Sequence, residues 1–144
     1  MKGLRIAAAA CLAVSGYVHA DLYIHGYRAI PFIGPAFLVQ ASGSFAVALL
    51  LIVGAAVTDE PLAVRLAAAA LAAGALVGFV ASRTVGVFGF VERGLQPSPQ
   101  ALLSVLAEAG VLLLLAAAVV TRRRAAGNVV SLRVSTRLRG RATR

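Results

Sequence analysis

Four stretches of this chain are each about 20 residues long and almost wholly apolar, the length an α-helix needs to cross ~30 Å of hydrocarbon. They run from about Leu4 to Tyr23, Gly34 to Val57, Leu62 to Ser82 and Ala101 to Val120. Lipid offers no hydrogen bonds to a bare backbone, so each stretch must close its own as a helix. Composition agrees. Of 144 residues, 60% are hydrophobic and 13% charged, and mean hydropathy is +0.91. So little polar surface cannot cover a water-soluble globule. The expected fold is all-α: a transmembrane four-helix bundle over residues 1–120, followed by a basic tail over 121–144.

The joints carry turn chemistry. Pro31, Gly34 and Pro35 stand before the second span, and Thr58-Asp59-Glu60-Pro61 separates the second from the third, with Pro61 suited to a helix start. Before the fourth span, Ser98 is expected to cap and Pro99 to open the helix. Residues 84–95 read equally as a helix extension or an interfacial loop.

Charge sets orientation. Net charge is +9, but Arg122, Arg123, Arg124, Arg133, Arg137, Arg139, Arg141 and Arg144 all follow Val120, with no acid among them. The body before them is near neutral. Placing both termini inside puts these arginines, Lys2, Arg5 and Arg65 on the cytoplasmic side, and leaves only Arg28, Arg83 and Arg93 outside. That matches the positive-inside rule. The chain is thus expected in the cell membrane as a multi-pass protein. Its tail should be unordered, since it holds too little apolar surface to bury, and should rest on anionic headgroups. Nucleic acid is the poorer partner, because the tail has no aromatic residue to stack on bases. A competing reading takes Lys2, Arg5, the apolar run and Val18-His19-Ala20 as a cleaved signal peptide. Retention as a span is preferred, because the run is long enough to cross and a polar, aromatic loop follows it. The lone Cys11 allows no intramolecular disulfide.

In the third span, Ala70, Gly74, Gly78, Ser82 and Gly86 recur every four residues. Small side chains on one helical face let a neighbouring backbone approach closely. The stripe predicts packing within the four-helix body, with a homodimer seam or a larger membrane complex as the alternative.

Ionisable residues inside a span are costly and mark functional sites by default. Glu108 lies ~12 Å into the fourth span at 1.5 Å per residue. Gln40, His19 and Arg83 come from the other three helices, and all four map to the outer half. Asp21, Tyr23, His25, Tyr27, Arg28, Glu92 and Arg93 add polar groups at the same face. The expectation is an outward-facing polar cluster in which Glu108 pairs with Arg83 or Arg28. The alternative is a set of buried polar contacts that only fixes helix order. His19, Asp21 and His25 offer metal- or haem-ligand chemistry, but not at the three-or-four spacing of a helical chelate. Otherwise the histidines and tyrosines there are interfacial anchors. No nucleophile stands with a base at hand, and no phosphate-binding or zinc-protease motif is present. The sequence therefore leans away from an enzyme and names no cofactor.

Residues 19–40 contain Gly26-Tyr27-Arg28, Ile30-Pro31, Ile33-Gly34, Phe37-Leu38 and Gln40, and Phe88-Gly89-Phe90-Val91-Glu92 follows later. These segments resemble a group of small four-span membrane proteins of actinobacteria, similar in general plan to DoxX-like membrane proteins. The resemblance covers about the first 120 residues and leaves out the tail. It implies fold and membrane location more than activity. Three functions follow as expectations: a non-enzymatic small membrane protein or accessory subunit, a redox or cofactor-binding protein using the outer cluster, and a transporter of a small solute or proton.

Overall fold

The computed structural model describes residues 2–57 and 61–142, with the backbone alone for 126 and 128–142. Four helices follow one another: α1 (Lys2–His25), α2 (Ile33–Ala56), α3 (Leu62–Thr84) and α4 (Gln100–Ala142), with a 3-10 turn, η1 (Tyr27–Ala29), between the first two. All four are long and apolar enough to cross a membrane, α4 over Gln100–Ala125. Leu49, Leu50, Ile52, Val53, Leu66, Val77, Val80 and Leu113 are each at least half exposed. A surface of that kind is covered by lipid rather than water. The chain is an all-α, multi-pass membrane protein.

The helices alternate in direction. Arg5 near the start of α1 donates to the Gly54 carbonyl near the end of α2, at 3.0 Å. The chain thus has a terminal end, where α1 begins and the membrane segment of α4 finishes. It has a distal end, where η1 and residues 85–99 lie. At the terminal end, nine buried side chains from all four helices form an apolar core that includes Leu12, Leu51, Ala68, Ala72 and Val111.

Glycine sets the closest helix contacts, but not the glycines the sequence points to. A Cβ on Gly16 of α1 would stand 3.2 Å from the Ser44 Cβ and 3.3 Å from the Ala41 carbonyl of α2. A Cβ on Gly110 of α4 would stand 3.1 Å from the Cys11 sulfur of α1. α1 is therefore gripped between α2 and α4. The stripe on α3 does something else. A Cβ on Gly74 or Gly78 would meet nothing within 4 Å, and Ala70, Gly74 and Gly78 are exposed. Gly86 is off the helix altogether, at φ +78°. The amides of Val85 and Gly86 both bond the Ala81 carbonyl (3.1 and 2.8 Å), a left-handed glycine stop to α3. The expected close packing of this stripe against a neighbouring helix is not what the structure forms. Only Ala68, Ala72 and Ser82 of α3 are buried.

Three joints resolve what the sequence left open or misread. Residues 85–99 do not extend α3: Val87 and Phe90 exchange both backbone hydrogen bonds (2.9 and 2.8 Å) around a turn with positive φ at Phe88 and Gly89. The first turn of α4 is held by the carbonyls of Pro97 and Pro99, which accept from Ala101 and Leu103, rather than by a Ser98 side-chain cap. The Thr58–Glu60 turn lies outside the described residues. Past the span that ends at Ala125, the α4 backbone runs on to Ala142.

Candidate functional site

The distal half of the bundle holds the buried polar groups. Glu108 of α4 is 1% exposed. Its Oε1 accepts from Ser15 Oγ of α1 at 3.0 Å and from Ser104 Oγ, one turn earlier in α4, at 2.7 Å. The His19 imidazole lies one turn after Ser15. Its Nδ1 is 2.9 Å from the Ser15 carbonyl. A carbonyl only accepts, so Nδ1 carries a proton, and in the neutral ring Nε2 is then the acceptor nitrogen. Nε2 stands 4.0 Å from Glu108 Oε1, beyond hydrogen-bond range. Gln40 of α2 turns an amide hydrogen to the Leu71 carbonyl of α3, at 3.2 Å.

A second polar set closes the distal face. Arg83, in the last turn of α3, pairs with Glu92 at 3.0 Å, and both side chains are largely buried. Arg83 also donates to the carbonyls of Gly94 (2.6 Å), Gln96 (2.5 Å) and Phe79 (3.2 Å), and its carbon lies 3.6 Å over the Phe79 ring. One guanidinium thus ties the whole 85–99 loop to α3. The Tyr27 hydroxyl donates to Glu92 from η1. Burial, with that carboxylate as acceptor, pushes the Tyr27 phenol up from its ordinary range. Phe32 and Phe88 join the same two loops by ring stacking at 4.8 Å. Both have positive φ (63° and 50°), which is strained for a bulky residue. Gly34 lets η1 fold onto α2, because a Cβ there would sit 2.6 Å from the Arg28 carbonyl oxygen.

Between these two sets lies a cavity of about 200 Å³. Glu108, His19, Ser104 and Gln40 border it at the floor, and Tyr27, Arg83 and Glu92 at the mouth. Ile33, Phe37, Phe79 and Phe90 make apolar and aromatic walls between them. Phe37 stands 5.0 Å from the His19 ring and 4.7 Å from the Tyr27 ring. On the α3 side the wall is Gly74, Ala75 and Gly78. Those two glycines are also exposed, and no atom stands within 4 Å of a Cβ built on either.

Of the expected polar cluster, His19, Gln40, Tyr27, Arg83, Glu92 and Glu108 border this one cavity. Asp21, His25 and Arg28 do not. His25 is exposed and pairs with Asp21 one turn earlier at 3.0 Å, and Gln100 donates to Asp21 at 3.4 Å. Arg28 lies exposed on η1. The expected pairing of Glu108 with Arg83 or Arg28 is wrong: Arg83 is bound to Glu92 at the mouth, and Glu108 is served by hydroxyls. The sequence reading missed Ser15 and Ser104. Their signal was present, since each stands four residues before an ionisable group, His19 or Glu108, and therefore on its face of the helix. Among the described residues no group of three or more His, Cys, Asp or Glu side chains is placed to hold a metal ion. Of the tail arginines, Arg122 is half-buried and Arg123 and Arg124 are exposed. The side chains of Arg133, Arg137, Arg139 and Arg141, and all of Arg144, lie outside the described residues. No protein-family model, curated protein or solved structure matches this chain.

Proposed function

We propose that this membrane protein is a non-enzymatic binder of a small, mostly apolar molecule, taken from the lipid into the distal cavity. The observation that carries the reading is the cavity itself. It is apolar-walled, bordered by a buried carboxyl group and an imidazole, and walled on the α3 side by two exposed glycines. Apolar pockets with a few convergent polar groups are where small molecules bind. The α3 stripe, which in sequence suggests a helix partner, walls the cavity instead. That moves support from an accessory-subunit role to small-molecule binding. The positive-inside count supports placing the distal end outside, with both termini and the arginines of residues 121–144 against anionic headgroups of the cytoplasmic leaflet. The likeness to DoxX-like proteins agrees with a four-span plan and adds no ligand.

A redox or cofactor-binding role is the second reading, favoured by the same cavity. Transport has less support: beneath Glu108 the bundle is filled by Leu12, Leu51 and Val111, each 0% exposed, so no polar path continues toward the terminal end among the described residues.

The test is thermal unfolding of the purified chain in mild detergent against a panel of small apolar molecules, each bearing one hydrogen-bonding group, beside a Gly78→Leu variant whose side chain fills the cavity. Binding predicts panel members that raise the wild-type midpoint and leave the variant unmoved. A panel that moves both proteins equally, or neither, contradicts the reading. An absorbance spectrum of the same sample decides the second reading, since haem or flavin shows in the visible range.

A further inference from the structure

The hydrogen-bond inventory of the cavity floor specifies what the occupant must bring. Five polar side chains meet there, Ser15, His19, Gln40, Ser104 and Glu108, and all but one of their donors are turned to protein. The Ser15 and Ser104 hydroxyls both point to Glu108 Oε1. The His19 Nδ1–H is spent on the Ser15 carbonyl. Gln40 gives an amide hydrogen to Leu71. With Glu108 ionised and the His19 ring neutral, what remains at the floor is mainly acceptors. Every hydrogen bond described for Glu108 ends on Oε1, which leaves Oε2 of a 1%-exposed carboxyl without a described donor. His19 Nε2 is a lone pair in the same wall, 4.0 Å from that carboxyl group. The second amide hydrogen of Gln40 is the one donor left over.

Charge points the same way. The cavity's single cation, Arg83, is neutralised by Glu92 and fixed to three carbonyls at the mouth. The groups within reach of the floor carboxyl are two hydroxyls and the His19 imidazole at 4.0 Å, and with that ring neutral none of them offers a counter-charge. A buried carboxylate without a counter-charge is costly, and so is a buried ammonium, whereas the two together offset each other's desolvation. Resting on the ligand-binding reading above, we propose that the occupant is a lipophilic primary or secondary amine in its ammonium form. Its nitrogen sits between Glu108 Oε2 and His19 Nε2 and donates one N–H to each. Its apolar body lies along Ile33, Phe37 and Phe90, and it arrives across Gly74 and Gly78. An ammonium suits this floor better than an alcohol because one nitrogen carries both the charge and at least two donors, whereas a hydroxyl brings one donor and no charge. Anionic occupants face two acceptors and no free cation.

Three probes of nearly equal shape test the assignment on the full-length protein in lipid nanodiscs, with naphthalene fluorescence as readout. They are 1-naphthylmethylammonium, the neutral 1-naphthylmethanol, and trimethyl(1-naphthylmethyl)ammonium, which has charge but no N–H. The first should bind wild type about tenfold or more tighter than either of the others, the ratio expected from one charge-assisted hydrogen bond. Glu108→Gln should erase that preference, and Gly78→Leu should abolish specific binding of all three. Equal binding of the alcohol and the primary ammonium overturns the amine assignment while leaving the cavity a ligand site. A preference that survives Glu108→Gln also overturns it. Binding of none of the probes in a Gly78→Leu-sensitive manner overturns the ligand-binding reading itself. If Glu108→Gln does not fold, the comparison of the three probes on wild type still decides.

Discussion

Replacing Glu108 by alanine isolates what the buried carboxyl contributes to the fold. The substitution leaves two hydroxyls, Ser15 on α1 and Ser104 on α4, without the acceptor they share at 3.0 and 2.7 Å. Each buried hydroxyl that loses its partner costs about 1–3 kcal/mol in a water-soluble protein. Hydrogen bonds between membrane helices average only about 0.6 kcal/mol, because the unfolded helices also find partners in lipid. Serine has a further escape: it can turn back to the carbonyl one turn earlier in its own helix. Two bonds at membrane strength, plus the packing lost as the cavity grows, give a destabilisation of about 1–3 kcal/mol. Glutamine keeps a carbonyl oxygen where Oε1 stands and should cost less than about 1 kcal/mol. The assay is reversible unfolding in mixed micelles, followed by far-ultraviolet circular dichroism. A double-mutant cycle with Ser15→Ala should return a coupling of roughly 0.6–1.7 kcal/mol. Alanine and glutamine variants equally stable, with zero coupling to Ser15, would refute the claim that this hydrogen-bond set joins α1 to α4.

Gly16→Leu and Gly110→Leu should each lower the unfolding midpoint sharply in the same assay, because the new side chains must displace α2 backbone or the Cys11 side chain. Gly34→Ala should cost several kcal/mol or prevent accumulation, on the order of an overpacked core or worse, since its Cβ would overlap a fixed carbonyl at 2.6 Å; loss of expression against wild type measures it. The Tyr27 phenol, raised by burial and by Glu92, should be one tyrosine of three that resists ionisation well above pH ~10 in an ultraviolet titration. Its raised value stabilises the fold fully below the unfolded phenol value and loses that stabilisation as pH rises above it. Glu92→Gln should bring the titration down.

The four spans were legible because length and hydropathy alone decide whether a helix can sit in lipid. Four of the polar residues that now border the cavity were also legible by depth: Glu108, His19, Gln40 and Arg83 are expensive in a membrane wherever they point. Depth does not give partners. Arg83 looks like the natural mate of Glu108, yet the turn at Phe88-Gly89 brings Glu92 back onto Arg83 and satisfies it first. Ser15 and Ser104 were overlooked because a serine is cheap in a span and carries no signal until its i+4 neighbour is considered. The α3 stripe misled for a related reason. Small residues permit close approach but do not compel it, and here α1 takes the close contacts through Gly16 and Gly110. α3 packs on the core through Ala68 and Ala72 but stands off around Gly74 and Gly78, and the space it leaves there is the cavity.

The stand-off of α3 around Gly78 can be measured as the sign of a stability change. If the α3 glycines seated a neighbouring helix, Gly78→Leu would overpack the seam and destabilise the protein by about 1–3 kcal/mol. If they border an apolar-walled cavity, the same leucine finds room, since no atom lies within 4 Å of its Cβ position. It also removes a helix-interior glycine, worth about 0.5–1 kcal/mol on its own. Thermal unfolding of wild type and Gly78→Leu side by side, without added ligand, should therefore show the variant unfolding at the higher temperature. A lower midpoint for Gly78→Leu would contradict the cavity and the binding function built on it.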